Sequence, residues 1–235
     1  MKSQSFLSLY TALITCLLLF SGGNYSLMAA TEVPEDTAKR LQLRYDAMKS
    51  LTFNFSQDTR GEITGRPRKA SGTATFFKSE TGSKMRWDYI NPKKQVLLND
   101  GVKFYMYFEE LQQMIVSPAE SLEKDLTYSF FAGKGQLIED FHIRPADPDF
   151  QSAPETEIKV IKLVPIVPHS QVQDIHLWVT ADSLIRRIHL QDHFGTITVL
   201  NLSDIKADAL ADKPQSEIKA LFSFTPPTGT EILQQ

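Results

Sequence analysis

Met85-Arg86-Trp87-Asp88-Tyr89 puts Met, Trp and Tyr on one face of an extended chain and Arg and Asp on the other, because successive strand side chains point to opposite sides. The period of two continues outward: Phe53 and Phe55 alternate with Asn54 and Ser56, and Ile175, Leu177 and Val179 alternate with His176 and Trp178. Period-two or short β-branched and aromatic runs occupy 52–57, 72–77, 85–89, 95–98, 103–108 and 113–116, then 158–164, 174–179, 184–191, 196–205 and 220–224. Gly, Pro, Asn or Asp turn signals separate them. Such a series of about eleven strands, without alternating helices, excludes a doubly wound parallel fold. It predicts a mainly β (α+β) chain: a strongly curved or closed antiparallel sheet whose apolar face is covered by helices.

Two stretches read as helices. After Val33-Pro34, the residues Ala38, Leu41, Tyr45 and Met48 recur at steps of three and four with charged residues between them, which marks an amphipathic helix. Ser117-Pro118-Ala119-Glu120 announces a second one, with Ser117 as cap, Pro118 at the first helical position and Glu120 bonding back. Leu122, Leu126 and Phe130 form its stripe, and Gly133 or Gly135 ends it.

With 25 Lys+Arg against 28 Asp+Glu and 42% hydrophobic residues, the composition is neither disordered nor collagenous, and it holds no polybasic footprint for nucleic acid. Residues 1–30 read as a secretory signal peptide: Lys2, an apolar run over 6–20, then small residues ending at Ala29-Ala30. That run is shorter than the ~20 residues a membrane helix needs. Residues 31–235 are expected to form a single domain. The lone Cys16 falls within the signal, so the exported chain would have neither disulfide nor free thiol. Leu13-Ile14-Thr15-Cys16 only loosely resembles a lipoprotein cleavage box.

Chemistry-bearing patterns are sparse. His189 and His193 lack a carboxylate partner apart from Asp192, and the five histidines are read as surface or edge-strand residues rather than metal ligands. There is no nucleophile elbow, no phosphate loop and no surviving cysteine nucleophile, so no metal, cofactor or enzymatic activity is expected.

Taken in order, several segments resemble the LolA family of outer-membrane lipoprotein carrier proteins. These are Ser50-Leu51-Thr52-Phe53-Asn54-Phe55-Ser56-Gln57, then Arg86-Trp87-Asp88-Tyr89 with Pro92 and Gln95, Asp100-Gly101 with Tyr105 and Tyr107, Gln113, and the closing 222–232 stretch with Pro226-Pro227-Thr228-Gly229. The resemblance implies an unclosed antiparallel β-barrel of eleven strands whose concave face is covered by helices. It implies a periplasmic, monomeric chaperone that takes lipoproteins from an inner-membrane lipoprotein-releasing ABC transporter and hands them to an outer-membrane acceptor. Phe53, Phe55, Met85, Trp87, Tyr89, Ile175 and Leu177 would then line an acyl-chain cavity, and Leu41, Tyr45, Met48, Leu122, Leu126 and Phe130 would form its lid. A periplasmic lipid-sensing module and a membrane-anchored acceptor are the alternatives on the same fold. The family's Arg-Pro step, whose arginine bonds the lid, is missing; Lys78-Ser79-Glu80-Thr81-Gly82-Ser83-Lys84 stands there.

Overall fold

Pro34 suits the first turn of a helix because its ring presets φ and its missing N–H would have no partner there. Helix α1 accordingly runs Pro34–Ala47, with Thr37, Ala38, Leu41, Gln42 and Tyr45 on its buried face. In this computed structural model the described residues are 33–61, 66–79, 82–122, 130–131, 135–151 and 157–235. The expected signal at 1–30 lies outside them.

Six strands follow α1: β1 (Ser50–Arg60), β2 (Arg68–Ser79), β3 (Gly82–Asn91), β4 (Gln95–Asn99), β5 (Lys103–Phe108) and β6 (Gln113–Pro118). A 3-10 turn (Ala119–Leu122) and helix α2 (Leu137–Asp140) come next, then β7 (Phe141–Pro145), a 3-10 turn (Pro148–Phe150), β8 (Lys159–Pro165), β9 (Asp174–Val179), β10 (Ile185–Gln191) and β11 (Ile197–Ala207). Helix α3 (Gln215–Leu221) and β12 (Glu231–Gln234) close the series. All twelve strands join one sheet in the order β12-β6-β5-β4-β3-β2-β1-β11-β10-β9-β8-β7. Its two ends, β12 and β7, do not meet, so the half-barrel is unclosed, and β12 lies parallel to β6 while the other neighbours are antiparallel.

The strand count is twelve rather than eleven, and the reasons are local. The expected strand at 220–224 is absent: an apolar run this short reads equally well as a strand or a helix end. Lys213-Pro214 starts α3 there, and Phe222 packs on Phe77 at 6.2 Å. β7 and β12 escaped because one ends in Pro145 and the other is exposed throughout, leaving little alternation to detect. The expected cap of a second helix also fails. Ser117 still belongs to β6 and shares a hydrogen bond with Ser121 (3.2 Å), and Pro118 ends that strand. Leu126 and Gly133 lie outside the described residues.

The concave face carries the core. On β2 the inward positions between the aromatics of β1 and β3 are Ala74, paired with Phe53 and Trp87, and Gly72, paired with Phe55 and Tyr89. These small residues let rings from β1 and β3 meet across β2: Phe53 lies edge-on to Trp87 at 5.8 Å, Phe55 is 4.7 Å from Trp87 and Phe55 is 5.0 Å from Tyr89. At Gly72 a Cβ would sit 2.0 Å from the Asp88 carbonyl oxygen, so β2 and β3 approach there too closely for any other residue.

The convex face is covered as well, by two crossings. After β11 the chain passes α3 over the outside of β3, where Arg86 is paired with Asp88 (2.7 and 3.0 Å) and donates to the carbonyls of Leu221 (2.9 Å) and Ser223 (3.3 Å). This crossing brings β12 to the outer side of β6. At the other end, the connection after β7 lays Phe150 over β9 and β10, 4.5 Å from His176 and 4.7 Å from His189. Those two histidines are therefore core residues, 1% and 6% exposed, and not surface groups as the alternation of β9 suggested. His176 accepts the Asp147 N–H at Nε2 (3.4 Å), its Nδ1 faces Asp174 at 3.6 Å, and Lys162 spans Asp147 (2.7 Å) and Asp174 (3.5 Å).

Gly72→Ala is expected to destabilise the protein by about 1–3 kcal/mol, through the displacement its Cβ forces between β2 and β3; urea unfolding followed by tryptophan fluorescence measures it. The buried histidines give a second expectation. Burial holds both His176 and His189 below the ordinary imidazole range, with Arg187 adding to the effect at His189 and the carboxylates of Asp147 and Asp174 only partly opposing it. Below about pH 6.5 the unfolded chain then binds more protons than the folded one. Stability is thus full above that pH and falls as pH drops through the window between the unfolded and folded values. A thermal melt series from pH 7.5 to 5 should show this fall, and His176→Phe with His189→Phe should flatten it.

Candidate functional site

β3, β10 and β11 present inward apolar side chains that nothing fully covers. Met85, Trp87 and Tyr89 of β3, Phe76 of β2, Leu97 and Phe104 of β4 and β5, Ile188 and Leu190 of β10, and Thr198 and Leu200 of β11 surround a cavity of about 450 Å³, with Gln57 of β1 and Leu122 completing its wall. None of these lining residues is charged. Such a space, within the ~300–1,000 Å³ of ordinary ligand sites, suits an apolar guest. Met85 adds an adaptable thioether to the wall.

The residues singled out in the sequence divide between three places. Met85, Trp87 and Tyr89 line the cavity, while Phe53 and Phe55 are buried beside it against Trp87. Ile175 and Leu177 face a separate space of about 40 Å³, shared with Phe130, Phe131, Leu137 and Phe141. Leu41, Tyr45 and Met48 are buried, and the Tyr45 ring lies tilted against Phe130 at 4.8 Å. Leu122 reaches the cavity itself, and Leu126 lies outside the described residues. Sequence reading passed over Gln57, Phe76, Leu97, Phe104, Ile188, Leu190, Thr198 and Leu200. Alternation in β10 held a signal for Ile188 and Leu190, whereas the unbroken runs Val96-Leu97-Leu98 and Ile197-Thr198-Val199-Leu200 gave no way to choose a face.

Helix α1 covers part of the concave side, packing against α2, β7 and β8. Its underside is mainly apolar, with the polar fastenings of Gln42 and Tyr45 buried within it and those of Arg40 and Lys78 partly buried at its edges. Arg40 donates to Ser183 (2.7 Å), Gln42 accepts the Leu137 N–H (2.9 Å) and donates to the Gly135 carbonyl (3.2 Å), and the Tyr45 hydroxyl accepts the Ile185 N–H (3.2 Å). At the helix C-terminus, where unsatisfied carbonyls concentrate partial negative charge, Lys78 of β2 donates to Tyr45 (2.6 Å) and Asp46 (3.4 Å). Burial pulls the Lys78 amine below the ordinary lysine range, against the attraction of Asp46 and Asp208. So the stretch 78–84 supplies a cation to the end of α1.

The profile of the family described as outer membrane lipoprotein carrier protein LolA matches residues 46–219. An outer-membrane lipoprotein carrier protein of Nitrosomonas europaea is 26% identical over 204 residues, covering 86% of this chain and 92% of its own length. That of Methylococcus capsulatus is 25% identical over 205 residues, covering 87% and 91%. Among solved structures, a LolA superfamily protein from Nitrosomonas europaea superposes with a TM-score of 0.41 at 15% identity, covering 83% of this chain and 99% of that one.

Lys78→Met should loosen α1 without unfolding the sheet. The expected effect is about 1 kcal/mol of lost stability together with faster amide hydrogen exchange confined to α1, read by mass spectrometry; equal acceleration in β1–β3 would show that Lys78 supports the whole fold instead.

Proposed function

The chain belongs to the LolA family of outer membrane lipoprotein carrier proteins, and on that footing we propose that it is a periplasmic chaperone that shelters lipoprotein acyl chains in the cavity between β3 and β11. In this reading it receives them from an inner-membrane ABC transporter and delivers them to an outer-membrane acceptor. Met85, Trp87 and Tyr89 would contact the chains directly, with Phe53 and Phe55 backing them. Ile175 and Leu177 would be reached when α1, carrying Leu41, Tyr45 and Met48, moves away from the sheet together with Leu122, Leu126 and Phe130.

The observation that carries this reading is a cavity with an uncharged, largely apolar wall, next to a helix held over the sheet by a few single side-chain hydrogen bonds. Burying one CH₂ is worth ~0.8 kcal/mol, so a sixteen-carbon chain is worth roughly 10 kcal/mol and cannot cross water unaided at a useful rate. A carrier has to match that surface and still let go, which a hinged cover accomplishes by shifting between two positions of similar energy. No helix of the described residues is long and apolar enough to cross a membrane, in keeping with a carrier that travels. Hydrolysis of ATP would belong to the transporter, which fits a chain with no phosphate loop.

The test is release. Incubating the purified protein with spheroplasts should yield soluble lipoprotein complexes in the supernatant. Trp87→Glu should lower their yield at least tenfold while leaving the circular dichroism spectrum unchanged. No complex with the folded wild-type protein, in spheroplasts that a known carrier can unload, would overturn the proposal.

A further inference from the structure

Along three strands the concave face changes character in the same direction. On β1 the inward residues run Phe53, Phe55, Gln57, Thr59; on β3, Met85, Trp87, Tyr89; on β11, read against its direction, Leu202, Leu200, Thr198. The registers Phe55↔Leu202, Gln57↔Leu200 and Thr59↔Thr198 align these sequences, so full burial gives way to half-burial at one end of the cavity on all three strands. At that end the side chains turn polar and join up. The Tyr89 hydroxyl donates to Gln57 Oε1 (3.2 Å), Gln57 Nε2 donates to Thr59 Oγ1 (3.2 Å), and Thr59 Oγ1 shares a proton with Thr198 Oγ1 (3.3 Å). Gly72 and Ala70 of β2, which lie between, carry nothing that would separate Tyr89 from Gln57.

Proton bookkeeping shows what this group can still do. A tyrosine hydroxyl, a carboxamide and two threonine hydroxyls hold more protons than their mutual bonds use. One N–H of Gln57 and one threonine hydroxyl are left to donate. Their half-buried positions leave these donors within reach of solvent. A hydrocarbon chain lying along Trp87 and Leu200 would displace that solvent, and donors stranded against it would be costly unless the guest brought its own acceptors.

We propose that Gln57, Thr59, Tyr89 and Thr198 form a polar subsite at the cavity mouth that binds the ester or amide carbonyl joining an acyl chain to its head group, and so sets how deeply the chain enters. This rests on the acyl-chain reading of the cavity and adds a chemical selection to it: an acyl guest over an alkyl one. The apolar wall holds both equally; the carbonyl alone distinguishes them.

The experiment compares two synthetic lipopeptides of equal chain length on one cysteine-serine-lysine peptide, S-[2,3-bis(palmitoyloxy)propyl] and S-[2,3-bis(hexadecyloxy)propyl], as competitors for anilinonaphthalene sulfonate bound to the purified protein. Wild type should prefer the ester-linked compound by about three- to tenfold. Gln57→Leu and the isosteric Thr198→Val should each reduce that ratio toward one. Gln57→Glu, which keeps the shape but removes the donors, should reduce it likewise. Equal affinity of wild type for both compounds, or an unchanged ratio in the variants, overturns the subsite and leaves the acyl cavity standing. Failure of both compounds to displace the dye overturns the cavity reading, and the subsite with it.

Discussion

Everything on the concave side depends on β2 being narrow. Ala74 and Gly72 occupy the inward positions where β1 and β3 would otherwise be held apart, and the rings of Phe53, Phe55, Trp87 and Tyr89 close over them. This contact joins the inward aromatic rings of β1 and β3 into one surface. It also explains why the cavity lies beside these rings rather than between them: Phe53 and Phe55 fill the space above β2, so a guest must lie along the far faces of Trp87 and Tyr89, toward β10 and β11. The same narrow strand lets Tyr89 reach Gln57.

The cover over this surface is built differently from the surface itself. β-strands are tied to neighbours along their whole length, whereas α1 is tied by single side chains, Gln42 and Tyr45 bonding beneath it and Arg40 and Lys78 at its edges. Apolar contact under the helix is non-directional. The hydrogen bonds fix its place, each worth about 0.5–1.5 kcal/mol. Lys78 is well suited to the C-terminal end of α1 because the amine needs only a concentration of carbonyl oxygens.

Where sequence reading went astray, an outer layer is responsible. His176 and Trp178 alternate with Ile175 and Leu177 as an exposed face should, yet Phe150 arrives from the connection after β7 and buries His176. At 220–224 the apolar run is used to anchor α3 on Phe77 across the convex side. Local periodicity reports which face of a strand is more apolar; it cannot report that a distant segment will cover the other face. The cavity lining shows the same limit, since Leu97 sits in an unbroken apolar run and Thr198 looks like an ordinary β-former.

The amino-acid sequence by itself determined the class of fold, ten of the twelve strands, helix α1 and the aromatic inward faces, because these follow from period, turn chemistry and helix starts acting over a few residues. It also carried the family resemblance. Only the tertiary structure decided which inward residues border empty space and which are packed, that Lys78 meets the end of α1, and that Gln57, Thr59, Tyr89 and Thr198 share one hydrogen-bonded group. Those outcomes depend on the register between strands remote in sequence, and register is settled by the packing of the whole sheet.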